Sequence, residues 1–240
     1  MEFIKNKRVT FYLGGILFAS LLHGGVCIDE SKYPNPARFE SKLEAFSDLD
    51  HTNPPEDNAI LCIGSSSMHG WHETIREDLA PLTVIPRGIG GSNMNDIVHY
   101  LDKIVFPYHP RAILVYEGDN DLAMGLSPVD VIDSYRVFEK LVHSVLPECR
   151  IYFMAIKPSV RRESLLEQQL ISNRFIETFC ETDDRLIYID VASPMLNGDG
   201  LPKPELFKED QLHMARAGYK LWRDAVYPVL EQGESSYEMK

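Results

Sequence analysis

Serine, histidine, carboxylate and glycine-rich groups that could do chemistry occur at four places along the chain. Residues 64–71 contain three consecutive serines, and residues 87–93 contain three glycines. Residues 117–121 carry three carboxylates and an amide, and in residues 210–213 an aspartate precedes a histidine by three positions. Hydroxyl, imidazole and carboxyl groups are the usual nucleophiles, acids and bases of enzymes. A site that combines them could therefore perform nucleophilic or acid–base catalysis.

Each of these four groups also has a simpler explanation when it is taken alone. Serine is a frequent N-cap of helices, and neighbouring glycines often form a tight turn. A stretch rich in Asp and Asn is often a solvated loop, and a histidine can cap a helix. Together the four groups favour one functional site, provided that the fold brings them to the same place.

Five short apolar segments are the elements that could hold these groups. They are mostly apolar without alternation, which is typical of strands covered on both faces of a parallel sheet. They lie at residues 59–63, 83–85, 112–116, 151–155 and 186–189. The clearest helix is predicted at 128–146, with Ser127 as N-cap and Pro128 at its first position. Further helices are predicted at residues 39–46, 71–79, 95–105, 162–180 and 215–230.

The alternation of strand and helix defines the predicted fold class. It predicts one α/β domain, a three-layer α/β/α sandwich with a five-stranded parallel sheet of the flavodoxin-like type. Ligands of such sheets bind beyond the carboxyl ends of the strands, and each of the four groups follows a predicted strand. We therefore expect the groups to converge at one edge of the sheet.

Other sequence motifs are incomplete. The glycine-rich turn has Asn93 where a dinucleotide-binding loop needs its third glycine, and the G-x-S-x-G pattern of the α/β-hydrolases is absent. His69 and His72 have no evident third ligand, so we expect them at the surface and predict no zinc site. Cys62 and Cys149 adjoin apolar segments and are expected to be buried, and no disulfide framework is predicted.

The charge of the chain is unevenly distributed. The 240 residues carry a net charge of −12, which argues against nucleic acid or an anionic membrane as the main partner. Residues 1–28 nevertheless carry +2, from Lys5, Lys7 and Arg8 against Glu2, and contain an apolar run. This pattern predicts a signal peptide and export to the periplasm or the medium. An uncleaved membrane anchor or a buried first helix is the alternative.

In order and placement, the four groups resemble the sequence blocks of the SGNH hydrolase superfamily, also called GDSL esterases and lipases. Gly64-Ser65-Ser66 is similar to the first block, Gly-Asp-Ser, and Gly91 to the glycine of the second. Gly118-Asp119-Asn120-Asp121 is similar to the third block, Gly-x-Asn-Asp, and Asp210-Gln211-Leu212-His213 to the last, Asp-x-x-His. The first two turns are similar to those of the branch that resembles platelet-activating-factor acetylhydrolases.

The resemblance implies a serine esterase that works without a metal or an organic cofactor. Ser66 would be the nucleophile, His213 the base that takes its proton, and Asp210 the carboxylate that orients and stabilises the imidazolium. The backbone N–H groups of Ser66 and Gly91 and the side-chain amide of Asn120 would form the oxyanion hole.

One residue departs from the family pattern. Ser65 stands where the family has the aspartate of its first block. Because that aspartate is not a member of the triad, activity is still expected, with different hydrogen bonds in the loop. The adjacent serines also leave Ser65 and Ser67 as alternative nucleophiles to Ser66.

We expect an exported esterase that removes short acyl groups, such as acetyl, from a carbohydrate or a small lipid ester. A lysophospholipase or thioesterase, an acyltransferase, and a non-catalytic SGNH-fold binding module are the alternatives. We expect neither nucleic acid as a partner nor stable membrane insertion of the mature domain. The predicted division of the chain is a signal peptide or anchor at 1–28, a helix and loop at 29–58, the SGNH hydrolase domain at 59–231 and a C-terminal tail at 232–240.

Overall fold

Five parallel strands form the sheet that organises the chain. The computed structural model describes residues 27–238, so most of the predicted export segment lies outside the described residues. The strands are β1 (Ile60–Gly64), β2 (Val84–Gly88), β3 (Ala112–Tyr116), β4 (Arg150–Met154) and β5 (Leu186–Ile189). Their order is β2-β1-β3-β4-β5, and every neighbouring pair is parallel. The predicted flavodoxin-like α/β fold is confirmed.

The strands are buried on both faces because successive side chains point into two separate cores. In β1, Leu61 and Ile63 belong to one core, whereas Ile60 and Cys62 belong to the other. Every residue of β1, β2 and β3 is buried. This burial explains why the strand sequences are continuously apolar instead of alternating. Cys62 and Cys149 are buried as predicted.

Helices cover both faces of the sheet. One core includes side chains of α1 (Glu40–Thr52), α4 (Met94–His99), α5 (Leu101–Ile104), α6 (Asp119–Ala123), α7 (Pro128–Val145) and α8 (Leu166–Cys180). The other core includes side chains of α2 (Ser66–Trp71), α3 (Ile75–Asp78) and α9 (Arg216–Glu234). The layers are therefore helix, sheet and helix, as the alternation of segments predicts.

The helix predicted at residues 71–79 is wrong in its first part, because a turn separates α3 from the preceding helix α2. Helix α2 ends at Trp71, and α3 begins at Ile75. The carboxylate of Asp78 accepts hydrogen bonds from the indole N–H of Trp71 at 2.8 Å and from the hydroxyl of Thr74 at 2.9 Å. These bonds hold the turn that separates the two helices.

Three further segments differ from the predictions. The predicted helix at 95–105 is interrupted at Tyr100, where α4 gives way to α5. The hydroxyl of Tyr100 donates to the carbonyl of Pro36 at 3.0 Å. The predicted helix at 162–180 begins as the 3-10 helix Val160–Leu165 before α8. Residues 119–123 form a short helix that the sequence pattern does not indicate.

The two longest helices begin close to where they are predicted. The hydroxyl of Ser127 accepts the N–H of Asp130 at 3.2 Å, and the Asp130 carboxylate accepts the N–H of Ser127 at 2.9 Å, a capping box that starts α7. Helix α9 continues past the boundary predicted at residue 231, and Glu234 is buried at its end.

None of the helices in residues 27–238 combines the length and hydropathy that a membrane crossing requires.

Candidate active site

The first block forms a tight turn at the end of β1. Gly64 has φ +143°, and a Cβ there would lie 2.1 Å from the carbonyl oxygen of Tyr116, so only glycine fits. The chain then enters α2, which begins at Ser66. Ser65 and Ser67 are 2% and 3% exposed, whereas Ser66 is only partly buried. Of the three adjacent serines, Ser66 is the most accessible to a substrate.

The second block is the glycine-rich turn after β2. The N–H of Ile89 donates to the carbonyl of Gly64 at 2.6 Å, which holds this turn against the first block. Gly91 is exposed with φ +88°, and no atom lies within 4 Å of the position that a Cβ would take. Within residues 27–238 the backbone N–H groups of Ser66 and Gly91 have no acceptor. Both can therefore donate to a substrate oxygen.

The third block follows β3 and begins α6. Gly118 has φ +97°, and Asn120 lies in the first turn of the helix that follows. The Nδ2 atom of Asn120 donates to the carbonyl of Ser92 at 2.8 Å, and its Oδ1 accepts from Nη2 of Arg162 at 2.9 Å. An amide nitrogen carries two hydrogens, so Nδ2 keeps one for a further acceptor. The contact with Ser92 joins the second and third blocks.

The last block is a loop in which Asp210 and His213 are directly bonded. Nδ1 of His213 lies 2.6 Å from Oδ2 of Asp210, and Oδ1 of Asp210 accepts the N–H groups of Leu212 and His213 at 2.9 Å each. The hydrogen bond from His213, with those backbone donors, holds the pKa of the Asp210 carboxyl well below its usual range. An ionised Asp210 places the imidazole proton on Nδ1, which leaves Nε2 as an acceptor.

Two contacts attach this loop and the following helix to the other blocks. The Nζ atom of Lys157 donates to the carbonyl of Leu212 at 3.0 Å and lies 3.7 Å from the carboxylate of Asp119 in the third block. The hydroxyl of Tyr219 in α9 donates to the carbonyl of Ser67 in the first block at 3.0 Å. The four blocks therefore meet at the carboxyl edge of the sheet.

One contact of a complete triad is not formed. Among the described residues, no hydrogen bond joins the hydroxyl of Ser66 to Nε2 of His213. Catalytic hydrogen bonds of this kind often tighten only when a substrate is bound. The structure thus pairs Asp210 with His213 and Asn120 with the second block, and it leaves the Ser66 hydroxyl unbonded.

Two cations beside the site, Lys157 and Arg162, are absent from the sequence interpretation. Both follow β4, the strand end to which no reactive group is assigned from the sequence. The one sequence signal that could have indicated these two residues is their position after a strand, because the residues that follow the strands of a parallel sheet lie at its ligand-binding edge. Lys157 is 1% exposed, and Arg162 bonds both Asp119 and Asn120.

Two buried carboxyl groups form hydrogen bonds that connect the second and third blocks. Glu117 and Asp121 are fully buried, which excludes the alternative that this stretch is a solvated loop. Glu117 accepts from the hydroxyl of Ser92, and Asp121 accepts the N–H of Met94 at 3.3 Å. Burial raises the pKa of Asp121 to about 6 and that of Glu117 well above its usual range. These contacts fasten the end of the glycine-rich turn to α6.

The expectation that His69 and His72 lie at the surface is wrong for His72. His72 is half-buried, and its Nε2 accepts the N–H of Gly88 at 2.8 Å. Burial lowers the pKa of His72 to about 4, so the ring is a neutral hydrogen-bond acceptor. His72 therefore supports the backbone of the second block.

One group of side chains elsewhere in residues 27–238 has the spacing of metal ligands. Atoms of Glu139, His143 and Asp183 lie within 4.8 Å of one another. The two ring nitrogens of His143 are bonded to Glu139 at 2.6 Å and to the carbonyl of Cys149 at 2.9 Å, and Asp183 is paired with Arg185. Partners within the protein already satisfy these side chains.

Comparison with known proteins assigns the chain to a family. The model of the GDSL-like lipase/acylhydrolase family matches residues 56–221, while no curated protein matches the chain by sequence. The match covers most of the chain, which therefore belongs to the GDSL-like lipase/acylhydrolase family. The resemblance to SGNH hydrolases is confirmed, and the chain is an ester hydrolase of this class.

Several solved structures share the fold at low sequence identity. A protein from Streptococcus pneumoniae, provisionally described as a platelet activating factor, has a TM-score of 0.70 at 20% identity, covering 81% of this chain and 94% of that one. A GDSL-like lipase from Bacteroides thetaiotaomicron has a TM-score of 0.66 at 16% identity, covering 83% and 98%. An acetyl-xylooligosaccharide esterase from Geobacillus has a TM-score of 0.56 at 14% identity, covering 71% and 93%.

Proposed function

We propose that this chain is a serine esterase in which Ser66, His213 and Asp210 form the catalytic triad. The observation that carries the proposal is the pair of Asp210 and His213, whose 2.6 Å contact leaves Nε2 of the imidazole as an acceptor. Ser66 is favoured as the nucleophile because its two serine neighbours are buried. A histidine with a free Nε2 and an orienting carboxylate is the arrangement that activates a serine hydroxyl.

The mechanism has two chemical steps. Oγ of Ser66 attacks the acyl carbon of the ester while Nε2 of His213 takes the hydroxyl proton, and ionised Asp210 stabilises the imidazolium. The imidazolium then gives this proton to the departing alkoxide, so an alcohol leaves and the acyl group remains on Oγ of Ser66. His213 then takes a proton from a water molecule that attacks the acyl carbon, and it gives this proton to Oγ of Ser66 as the carboxylic acid leaves.

Three donors would stabilise the negative charge that develops on the acyl oxygen. The backbone N–H groups of Ser66 and Gly91 have no acceptor within the described residues, and Nδ2 of Asn120 has one hydrogen to spare. Donors held in place before the reaction need no reorganisation when the charge appears. We assign these three groups to the oxyanion hole.

The substrate class that we favour is an ester of a short acyl group, such as acetyl, on a carbohydrate or a small lipid. Support comes from the shared fold of the Geobacillus acetyl-xylooligosaccharide esterase. A lysophospholipase or thioesterase is the second candidate, because the family includes lipases.

Turnover of p-nitrophenyl acetate and p-nitrophenyl palmitate separates these candidates. We expect hydrolysis of the acetate, its loss in Ser66→Ala, and its retention in the matched variants Ser65→Ala and Ser67→Ala. Preference for the palmitate would favour the lipase alternative. Full activity of Ser66→Ala would refute the nucleophile assignment, and no turnover of either ester would refute both proposed substrate classes.

We also propose that the chain is exported, with residues 1–28 acting as a signal peptide or an anchor. The support is the basic start followed by an apolar run, while the negative charge lies in the rest of the chain. After expression in a bacterium, we expect to recover the protein outside the cytoplasm. Its mass should lack the leader if residues 1–28 are a cleaved signal peptide, and should be that of the full chain if they are an anchor. Recovery of the uncleaved chain in the cytoplasm would contradict the proposal.

A further inference from the structure

Asp119 is the centre of a buried ion cluster directly beside the site. Its carboxylate lies 2.7 Å from Nη1 of Arg162 and 3.7 Å from Nζ of Lys157, and it accepts from Nε2 of Gln169 at 3.2 Å. The carboxylate and Lys157 are buried, and Arg162 is mostly buried. The carboxylate is thus held by two cations and an amide, and each cation also bonds another group of the third or the last block.

Arg162 uses its second nitrogen on the side chain of Asn120. Nη1 of Arg162 donates to the carbonyl of Asp119 at 3.0 Å as well as to its carboxylate, while Nη2 donates to Oδ1 of Asn120 at 2.9 Å. The planar guanidinium presents these donors in a fixed geometry. A cationic donor on Oδ1 prevents the amide from flipping, because a flip would bring the NH₂ group against the guanidinium.

The opposite end of the same amide is fixed as well. Nδ2 of Asn120 donates one hydrogen to the carbonyl of Ser92 at 2.8 Å. With Oδ1 held by Arg162 and one N–H held by Ser92, the amide plane is set, and so is the direction of the remaining N–H. That N–H is the group assigned above to the oxyanion hole.

The segment that carries Arg162 also holds the histidine loop, but through different residues. The N–H of Arg161 donates to the carbonyl of Gln211 at 2.9 Å, and Nζ of Lys157 donates to the carbonyl of Leu212 at 3.0 Å. Gln211 has φ +56°, an unfavourable conformation for a residue with a Cβ, so these bonds hold the loop in place. An effect of Arg162 on Asn120 is therefore separable from an effect on His213.

We propose that Arg162 is a positioning residue that orients the amide of Asn120 for the oxyanion hole. The proposal rests on the proposed function of Asn120. It differs from a purely structural role, in which Arg162 would only neutralise Asp119. A lysine could perform that structural role as a point charge, whereas it cannot bond Asp119 and Asn120 with separate nitrogens of one plane.

The experiment compares Arg162→Lys, Arg162→Ala, Asn120→Ala and the double variant Arg162→Ala/Asn120→Ala on p-nitrophenyl acetate. Arg136→Lys is the matched control, because Arg136 pairs with Asp133 on the exposed face of α7. We expect Asn120→Ala to lower kcat by about 10²-fold or more. Arg162→Lys should lower kcat by about 10-fold with KM nearly unchanged and with the wild-type pH profile. The double variant should match Asn120→Ala alone, because Arg162 acts through Asn120.

Each contrary result has a different meaning. Wild-type kcat in a folded Arg162→Lys variant, or an additive loss in the double variant, would overturn the positioning role and leave the proposed function intact. Wild-type kcat in Asn120→Ala would overturn both the oxyanion assignment and the positioning role. The thermal unfolding midpoint of each variant shows whether it is folded, and Arg162→Lys keeps the proposal testable if Arg162→Ala does not fold.

Discussion

The two ends of the sheet each hold a buried cluster of arginine and carboxylate, and the clusters differ in what they bond. At the amino end, Glu234 accepts from Arg111 at 3.0 Å, from Arg150 at 2.5 and 2.8 Å, and from the hydroxyl of Tyr152 at 2.8 Å. These contacts tie the end of α9 to the starts of β3 and β4. The carboxylate of Glu234 is saturated by donors from the sheet. Arg111 also bonds the carbonyl of Asn58 and the carboxylate of Glu238, which lie outside the site.

At the carboxyl end, the additional acceptors of the cations belong to the third and last blocks. Arg162 bonds Oδ1 of Asn120, and Lys157 bonds the carbonyl of Leu212 beside His213. The ion pairs at the amino end therefore stabilise the fold. Those at the carboxyl end also orient groups that we assign to the catalytic site. Variants at the carboxyl end should change rates, and variants at the amino end should change stability.

The largest effect on rate is expected from Asp210→Asn. An amide cannot stabilise the imidazolium or hold the imidazole in the required tautomer, so kcat should fall by about 10²- to 10⁴-fold. Steady-state hydrolysis of p-nitrophenyl acetate measures this loss. The neighbouring exposed residue provides a control, Glu209→Gln, which should retain activity. An Asp210→Asn variant as fast as the control would show that the carboxylate has no part in the reaction.

The largest effect on stability is expected from Glu234→Ala. Removing this carboxylate leaves Arg111 and Arg150 without their shared partner, and breaking a buried ion pair typically costs about 3–5 kcal/mol of unfolding free energy. Urea unfolding measures the loss. The folded fraction should keep its kcat/KM, because the cluster lies at the end of the sheet opposite to the site.

A control on the same helix is Asp224→Ala, because Asp224 forms an exposed pair with Arg223. It should cost less than about 1 kcal/mol. If Glu234→Ala is no more destabilising than Asp224→Ala, the amino-end cluster does not fasten the fold.

A smaller effect, on the pH dependence of stability, is expected from Asp121→Asn. Burial raises the pKa of Asp121 from its ordinary value of 3.8 to about 6. The folded state therefore binds a proton that the unfolded state has released. Its stabilising contribution is complete below about pH 4 and is lost as the pH rises through about 6, by on the order of 1 kcal/mol per unit of pKa shift.

Urea unfolding of the wild type and of Asp121→Asn between pH 4 and 7 tests this expectation. The wild type should lose stability over that range, and the variant should lose less. Burial also raises the pKa of Asp96 to about 6, so part of the slope should remain in the variant. An identical slope in both proteins would show that Asp121 does not titrate in this range.

The sheet and the four blocks could be predicted because each depends on local sequence. Continuously apolar segments mark buried parallel strands, and the first three blocks lie close after those strands. Asp210 and His213 follow β5 only after a long loop. The contacts of Arg162 could not be predicted, because its partners lie more than forty residues away in the chain. The break between α2 and α3 likewise depends on Asp78, which pairs with Arg216 of α9. Such long-range contacts leave no periodic pattern in the sequence.

The central claim is that Ser66 is the nucleophile of an ester hydrolase at the carboxyl edge of the sheet. The most direct measurement is mass spectrometry of the intact protein and its peptides after reaction with a fluorophosphonate. We predict a single adduct on Ser66, present in Ser65→Ala and Ser67→Ala and absent in Ser66→Ala, with loss of esterase activity in proportion to labelling. An adduct on another residue, or full activity after complete labelling of Ser66, would contradict the claim.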